Sequence, residues 1–124
     1  NNNNMATLTP TFTLTSADAQ SDAISITATD SLTTTEPTEV SKITVLHSGE
    51  TVIAAASTGA YYLYVKNVSS TNSKPLDIRI DAGTAFGQIA TGEFAFIPVK
   101  VNLGVELIAI DESVVCEYAI FKKG

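Results

Sequence analysis

Hydrophobic and polar residues alternate with a period of two in the first part of the chain. From residue 7 to 15 threonine fills every odd position, and the even positions are Leu8, Pro10, Phe12 and Leu14. A polar stretch at 16–22 precedes a second alternating run at 23–29 that includes Ile24 and Ile26. This period is typical of half-buried strands, so the two runs predict a hairpin with one apolar and one threonine-rich face. Pro10 lacks a ladder donor and places the first strand at an edge.

After residue 40 threonine becomes rare and the apolar residues again form short runs separated by turn residues. We predict strands over 40–46, 51–56, 60–68, 76–81, 94–99, 105–110 and 114–121. The first two of these read as a second hairpin around Ser48-Gly49-Glu50. Residues 94–99 are apolar on both faces, which predicts a strand covered on both sides, and Pro98 places it near an edge or a bulge.

About nine short strands at this spacing, with almost no helix, predict an all-β fold. The fold class is an antiparallel, jelly-roll-like β-sandwich in a single domain, with a Thr-rich N-terminal hairpin or arm. A length of 124 residues suits one core of ordinary size. We divide the chain into a remnant at 1–4 before Met5, a hairpin or arm at 5–30, a linker at 31–39 and a sandwich core at 40–124. Whether the hairpin pairs with another chain or belongs to the sandwich stays open.

Composition and charge narrow the range of partners. Hydrophobic residues make up 44% of the chain, so it can bury a core, and its net charge is −6. This negative charge opposes binding to the phosphate backbones of nucleic acids, and the sequence has one small basic cluster, Lys122-Lys123. No apolar run approaches the roughly 18 residues of a membrane span, and no secretory signal is readable. We therefore expect neither a nucleic acid nor a membrane as partner.

The residues that most often carry chemistry are few. One histidine, His47, cannot build a multi-histidine metal site, and one cysteine, Cys116, cannot form an internal disulfide. His47 is predicted to be a solvated residue beside a turn, because no nucleophile motif accompanies it. Cys116 alternates with apolar neighbours on a strand and is predicted to be buried and inert.

Three further patterns have ordinary structural explanations. Asp77 and Asp81 flank Arg79, which favours a surface charge ladder or a subunit contact over a pair of catalytic carboxylates. The glycines at 83, 87 and 92 lack the context of a phosphate-binding loop and are predicted to be turn residues. Asn67-Val68-Ser69 matches a glycosylation sequon by chance. The sequence predicts no catalytic residue, no cofactor and no metal.

Several segments carry a resemblance to a known class of protein. They are MATLTPTFTLTSADAQSDAISITATDSLTTTEP at 5–37, YYLYVKNVSS at 61–70, GQIATGEFAFIPV at 87–99 and VCEYAIFKK at 115–123. In their residue patterns and in their order along the chain, these segments resemble small virion structural proteins of tailed bacteriophages, particularly marine phages. The resemblance implies a short, acidic, β-folded decoration, tail or fibre component without catalysis, and it implies no catalytic residue.

The leading hypothesis is a non-enzymatic capsid decoration (cement) protein on the virion surface, present in the host cytoplasm before assembly. Its partners would be the major capsid protein or other virion subunits, and we expect a homo-oligomer. A tail or fibre component is the alternative, and a carbohydrate-binding adhesin module that stacks sugars on tyrosines is an alternative of another class. An enzyme is the third class. The candidate partner-binding residues are Leu8, Phe12, Leu14, Ile24, Ile26, Tyr62 and Tyr64.

Overall fold

The computed structural model describes residues 5–35, 40–53, 59–70, 75–80 and 83–123, and all regular structure in these ranges is strand. The all-β prediction is confirmed. The predicted remnant at 1–4 lies outside the described residues. The chain divides into two compact units, one ending at Pro37 and one running from Thr38 to Lys123.

The N-terminal unit has four strands, β1 (Ala6–Leu8), β2 (Thr11–Ser16), β3 (Ile24–Thr29) and β4 (Leu32–Thr34). β2 and β3 form the predicted antiparallel hairpin, and β1 pairs with β4. The predicted strand at 7–15 is therefore broken at Pro10, which cannot donate to a ladder and whose carbonyl instead accepts the Asp30 N–H at 3.3 Å. The segment predicted as a linker begins with a strand, β4.

The second unit contains eight strands. They are β5 (Ser41–Val45), β6 (Glu50–Ile53), β7 (Tyr61–Asn67), β8 (Leu76–Ile80), β9 (Ala85–Ile89), β10 (Phe94–Val99), β11 (Val105–Ala109) and β12 (Val114–Lys122). One sheet has the order β10-β7-β12-β5 and the other has the order β6-β11-β8-β9, with every pair antiparallel. β9, which contains Gly87, was not predicted from the sequence.

The pairing within this unit follows the topology of a jelly roll. The first of its strands pairs with the last, the second with the seventh, the third with the sixth and the fourth with the fifth. A long hairpin folded over on itself into two sheets has this pattern, which defines the eight-stranded jelly roll. The predicted jelly-roll-like sandwich is confirmed.

The predicted second hairpin, between 40–46 and 51–56, is wrong. β5 pairs with β12 in one sheet and β6 pairs with β11 in the other, so the turn between them carries the chain across the sandwich. Gly49 adopts φ 94°, a conformation that a side chain disfavours, and its N–H donates to the Leu46 carbonyl at 3.0 Å. The predicted turn is present, but the chain changes sheet there instead of returning to the same one. Residues 54–56 of the predicted strand lie outside the described ranges.

The core of the jelly roll is formed by side chains that point inward from both sheets. Leu63 and Val65 on β7 pack with residues of the opposite sheet such as Leu76 and Leu107, and all four are fully buried. Burial of each such side chain contributes about 1.5–3 kcal/mol. Every buried hydrophobic residue of the described chain lies between Val45 and Ala119. The second unit therefore has a complete core of its own.

Candidate functional site

The outer face of the β10-β7-β12-β5 sheet carries a cluster of aromatic side chains. Residues directly opposite each other on neighbouring strands point to the same face, and the register places Phe96 opposite Tyr64 and Phe121 opposite Tyr62. Phe94 precedes Phe96 by two residues and shares this face. We call the set the aromatic face: Tyr62, Tyr64, Phe94, Phe96 and Phe121.

The prediction that residues 94–99 are covered on both sides is wrong. Ala95 and Ile97 pack against the core, whereas Phe94 and Phe96 alternate with them and remain 58% and 36% exposed. Because both faces of this strand are apolar, the sequence gives no contrast from which to tell the buried face from the exposed one. Phe94, Phe96 and Phe121 were therefore missed as candidate site residues. The edge position that Pro98 indicated is confirmed, since β10 ends its sheet.

Tyr62 lies at the centre of a group of interacting side chains. Its ring stacks on Phe96 with the centroids 5.8 Å apart and the planes 11° from parallel. The Lys123 ammonium lies 4.9 Å from the Tyr62 ring centroid, a cation–π contact. β7 lies between β10 and β12, so these two neighbours approach from opposite sides. Stacking of a sugar ring on Tyr62 would have to displace one of them.

Tyr64 has a polar partner on the same face. Its hydroxyl donates to Glu117 Oε1 at 2.9 Å. Burial raises the pKa of Tyr64 above its usual value of 10.0, and the hydrogen bond to Glu117 and the charge of that carboxylate raise it further. Tyr64 is therefore a neutral hydrogen-bond donor at physiological pH and is not poised as a nucleophile.

Lysines surround the aromatic face. The register places Lys66 and Lys42 on either side of Glu117 in one row across three strands, and Lys123 lies beside Tyr62. Lys42 and Lys123 are exposed. The face thus combines aromatic rings with three ammonium groups and one carboxylate that already binds Tyr64.

A second exposed apolar surface lies on the N-terminal hairpin. Phe12 pairs with Ala28 and Leu14 pairs with Ile26, so these side chains share one face, and Phe12, Leu14 and Ile26 are each 46–49% exposed. Ile24 is on the same face and half-buried. We call this surface the hairpin face: Phe12, Leu14, Ile24, Ile26 and Ala28. On the other side of the hairpin, the hydroxyls of Thr11 and Thr29 are hydrogen-bonded at 3.2 Å.

The seven candidate residues are therefore distributed over three places. Phe12, Leu14, Ile24 and Ile26 come together on the hairpin face, as the alternation indicated. Tyr62 and Tyr64 share the aromatic face of the other unit. Leu8 does not join the hairpin, since it lies on β1 opposite Leu32.

His47 and Cys116 have structural surroundings. His47 lies exposed in the β5–β6 turn, with Nδ1 3.0 Å from the Ala109 carbonyl oxygen, to which it can donate. Cys116 is fully buried, and burial together with the charge of Glu50 raises the pKa of its thiol from 9.0 to about 11. A thiol held protonated in this way is a poor nucleophile. The prediction that Cys116 is buried is confirmed.

The charged residues around Arg79 pair across strands of the second sheet. Arg79 Nε donates to Glu106 Oε1 at 2.7 Å, joining β8 to β11. The Asp77 carboxylate accepts a hydrogen bond from Gln88 on β9 at 2.8 Å. These contacts fit a surface charge ladder. The third predicted member, Asp81, lies outside the described residues.

Asn67 is a buried polar residue whose role the sequence did not reveal. Its Nδ2 donates to the Ile89 carbonyl at 2.9 Å, and its Oδ1 accepts from the Ser69 hydroxyl and backbone N–H at 2.7 and 3.0 Å. The Ser69 hydroxyl also lies 3.2 Å from the Thr91 hydroxyl. This network holds the end of β7 to the segment between β9 and β10. An amide so enclosed is not accessible for glycosylation in the folded protein.

An apolar groove of about 480 Å³ opens between β9 and β10, the edge strands of the two sheets. Its lining includes Ile78, Ile89 and Ile97, with Gln88 and Glu93 as its polar side chains. Glu93 is engaged locally, because Oε1 accepts the Ala90 N–H at 2.8 Å. The lining offers no pair of groups arranged for acid–base or nucleophilic chemistry.

Within the described ranges, no three or more His, Cys, Asp or Glu side chains are grouped so that they could hold a metal ion. The same part of the chain has no helix long and apolar enough to cross a membrane. No family model matches the chain, and no curated protein or solved structure is significantly similar to it.

Proposed function

We propose that this protein is a non-enzymatic virion structural protein, specifically a capsid decoration protein that binds the outside of the head. Its partners are the major capsid protein or other virion subunits, and it is a homo-oligomer. The observation that carries the proposal is the presence of two exposed apolar surfaces, the aromatic face and the hairpin face, on a small β scaffold.

The exposed side chains are of the kind that mediates protein contacts. Large contiguous apolar surfaces on small proteins mark interaction sites, and the centres of protein interfaces are rich in aromatic residues. Phe94 is 58% exposed at the rim of the aromatic face, and Phe12 and Leu14 are about half exposed on the hairpin. These surfaces can bind a partner by apolar contact and need no reactive group.

Fold and charge agree with the proposal at a coarser level. The jelly roll is used by viral capsid proteins and also by lectins and cupins, so it supports a virion role by analogy alone. A net charge of −6 suits an outer surface that must not adhere to DNA. The resemblance of residues 5–37, 61–70, 87–99 and 115–123 to phage structural proteins points in the same direction.

The decisive experiment is to locate and count this chain in purified particles. A decoration protein is expected on the head in a fixed ratio to the major capsid protein, visible as added density outside the shell by cryo-electron microscopy. A few copies confined to the tail would support the tail or fibre alternative. Absence from the particle would overturn the virion proposal altogether.

A carbohydrate-binding adhesin is the second candidate, favoured by the exposed Phe94 ring at the rim of the aromatic face. Aromatic rings bind the apolar faces of sugars, although Tyr62 is already in contact with Phe96 and Lys123. A glycan array distinguishes the two functions. Specific binding that is lost in Phe94→Ala and retained in Phe86→Ala, a variant at an equally exposed ring on β9, would favour the adhesin.

A further inference from the structure

We propose that the hairpin face of one copy docks on the aromatic face of a second copy. The proposal names the partner of the aromatic face and rests on the assembly role proposed above. Its test uses the purified protein alone, so its outcome is separate from whether the protein occurs in a virion.

Charge is unequally divided between the two parts of the chain. Residues 1–37 contain four acids and no Lys, Arg or His, whereas all seven Lys and Arg residues follow residue 38. Asp18 and Asp22 lie exposed in the turn that joins β2 to β3. The hairpin face is thus apolar with an acidic tip.

The aromatic face has the complementary character. Lys42, Lys66 and Lys123 border its rings, and its one carboxylate, Glu117, accepts a hydrogen bond from Tyr64. Contact between the two faces buries aromatic and aliphatic side chains together and brings acids close to lysines. Complementary charges at the rim of such a contact fix its orientation and speed association.

The two surfaces also match in size. β2 and β3 have six residues each and span about 20 Å, close to the lengths of β10 and β7, which have six and seven residues. With neighbouring strands about 4.8 Å apart, the two strands of the hairpin cover two of the three strands, β10, β7 and β12, that carry the rings. Sheets packed face to face lie about 10 Å apart, a distance that side chains such as Phe12 and Phe96 fill.

Charge also favours this pairing over contacts between identical faces. A hairpin face on another hairpin face adds no lysine to balance Asp18 and Asp22, and an aromatic face on another adds ammonium groups to ammonium groups. A contact between unlike faces leaves one copy with a free aromatic face and the other with a free hairpin face. Such heterologous contacts close into rings or continue as chains.

The first experiment measures the mass of the full chain by sedimentation velocity over a range of protein concentrations. The unaltered protein is expected to associate, and raising the salt from about 0.1 M to about 1 M weakens association because the charges are screened. Lys42→Glu with Lys123→Glu, and separately Asp18→Lys with Asp22→Lys, are each expected to raise the dissociation constant about tenfold or more. Asp111→Lys, at an exposed turn of the jelly roll, is the control and is expected to have no effect.

The second experiment mixes the two double variants. Each double variant carries like charges on its hairpin and on its aromatic face, so copies of the same variant repel each other. The lysine-bearing hairpin of one variant matches the glutamate-bearing aromatic face of the other, so the mixture is expected to associate. Combining all four substitutions in one chain is likewise expected to restore self-association. A protein that is monomeric at every concentration, or variants whose association does not recover on mixing, would overturn the proposal.

The apolar part of the contact is tested by a matched pair of phenylalanines. Phe94 on the aromatic face and Phe86 on the other sheet are 58% and 57% exposed. Phe94→Ser is expected to weaken association about tenfold, and Phe86→Ser is expected to leave it unchanged. Thermal unfolding of both variants reports whether the fold is intact. Equal effects of the two substitutions on association would contradict the assigned surface.

Discussion

Asn67 shows how a single buried side chain joins strands that are distant in sequence. We expect Asn67→Asp to lower the free energy of unfolding by about 3 kcal/mol or more, because the amide donor to the Ile89 carbonyl is replaced by a buried oxygen. Chemical denaturation at neutral pH measures this change. Asn102→Asp makes the same replacement in an exposed turn with φ 61°, a conformation that Asp tolerates, and is expected to change stability little. Similar losses in the two variants would contradict the role assigned to Asn67.

The raised pKa of Cys116 predicts that the stability of the protein depends on pH. Its folded-state pKa of about 11 lies above the ordinary 9.0, so between these pH values the native state holds a proton that the unfolded state releases. Stability is therefore unaffected below pH 9 and falls as pH rises toward 11, by about 2 kcal/mol. Urea unfolding at pH 8 and pH 10.5 measures this loss. In Cys116→Ala the loss is expected to shrink to the part due to groups such as Tyr64, and an unchanged loss would argue against the thiol as its source.

Sequence reasoning succeeded for residues whose environment depends on their immediate neighbours. The burial of Cys116 and the common face of Tyr62 and Tyr64 both follow from alternation along one strand. The partners of Asn67 come from Ile89 and Thr91, through a topology that no local pattern encodes. The sequence therefore shows Asn67 only as part of a chance sequon.

At the scale of the element, the turns proved harder to interpret than the strands. The alternation predicted the hairpin β2–β3 and most strands of the jelly roll, but it did not predict their pairing. Gly49 marks a turn whether the next strand returns to the same sheet or crosses to the other. The wrong prediction for β10 had a different cause. Both faces of this strand are apolar, so only its partner strands decide which face is buried.

The two turn glycines with positive φ allow a test at this scale. Gly49 and Gly92 have φ 94° and 87°, so alanine is strained at both and is expected to cost about 1 kcal/mol. A Cβ at Gly49 would also lie 2.5 Å from Glu106 Oε2, whereas one at Gly92 meets nothing within 4 Å. Because moving Glu106 disturbs its ion pair with Arg79, Gly49→Ala is expected to be the more destabilising in denaturant unfolding. A larger loss for Gly92→Ala would contradict this account of the turn.

For the molecule as a whole, we expect that residues 38–124 fold without the N-terminal unit. Every buried hydrophobic side chain of the described chain lies between Val45 and Ala119, and the eight jelly-roll strands pair only among themselves. A two-stranded hairpin such as β2–β3 is marginal alone in water, so it adds little to the stability of a separate core. The shortened chain is therefore expected to unfold cooperatively, with a free energy within about 1 kcal/mol of the full chain.

The same truncation separates folding from assembly. The aromatic face is intact in residues 38–124, but the hairpin face is gone, so the shortened protein is expected to remain monomeric and to attach poorly to particles. Denaturant unfolding and sedimentation velocity on the same sample measure the two properties. The full chain with Leu14→Ser and Ile26→Ser is the control, because it keeps its length and loses apolar surface on the hairpin face. A shortened chain that unfolds or precipitates would show that the hairpin contributes to the stability of the domain. A shortened chain that folds and binds particles as tightly as the full chain would place the interface elsewhere.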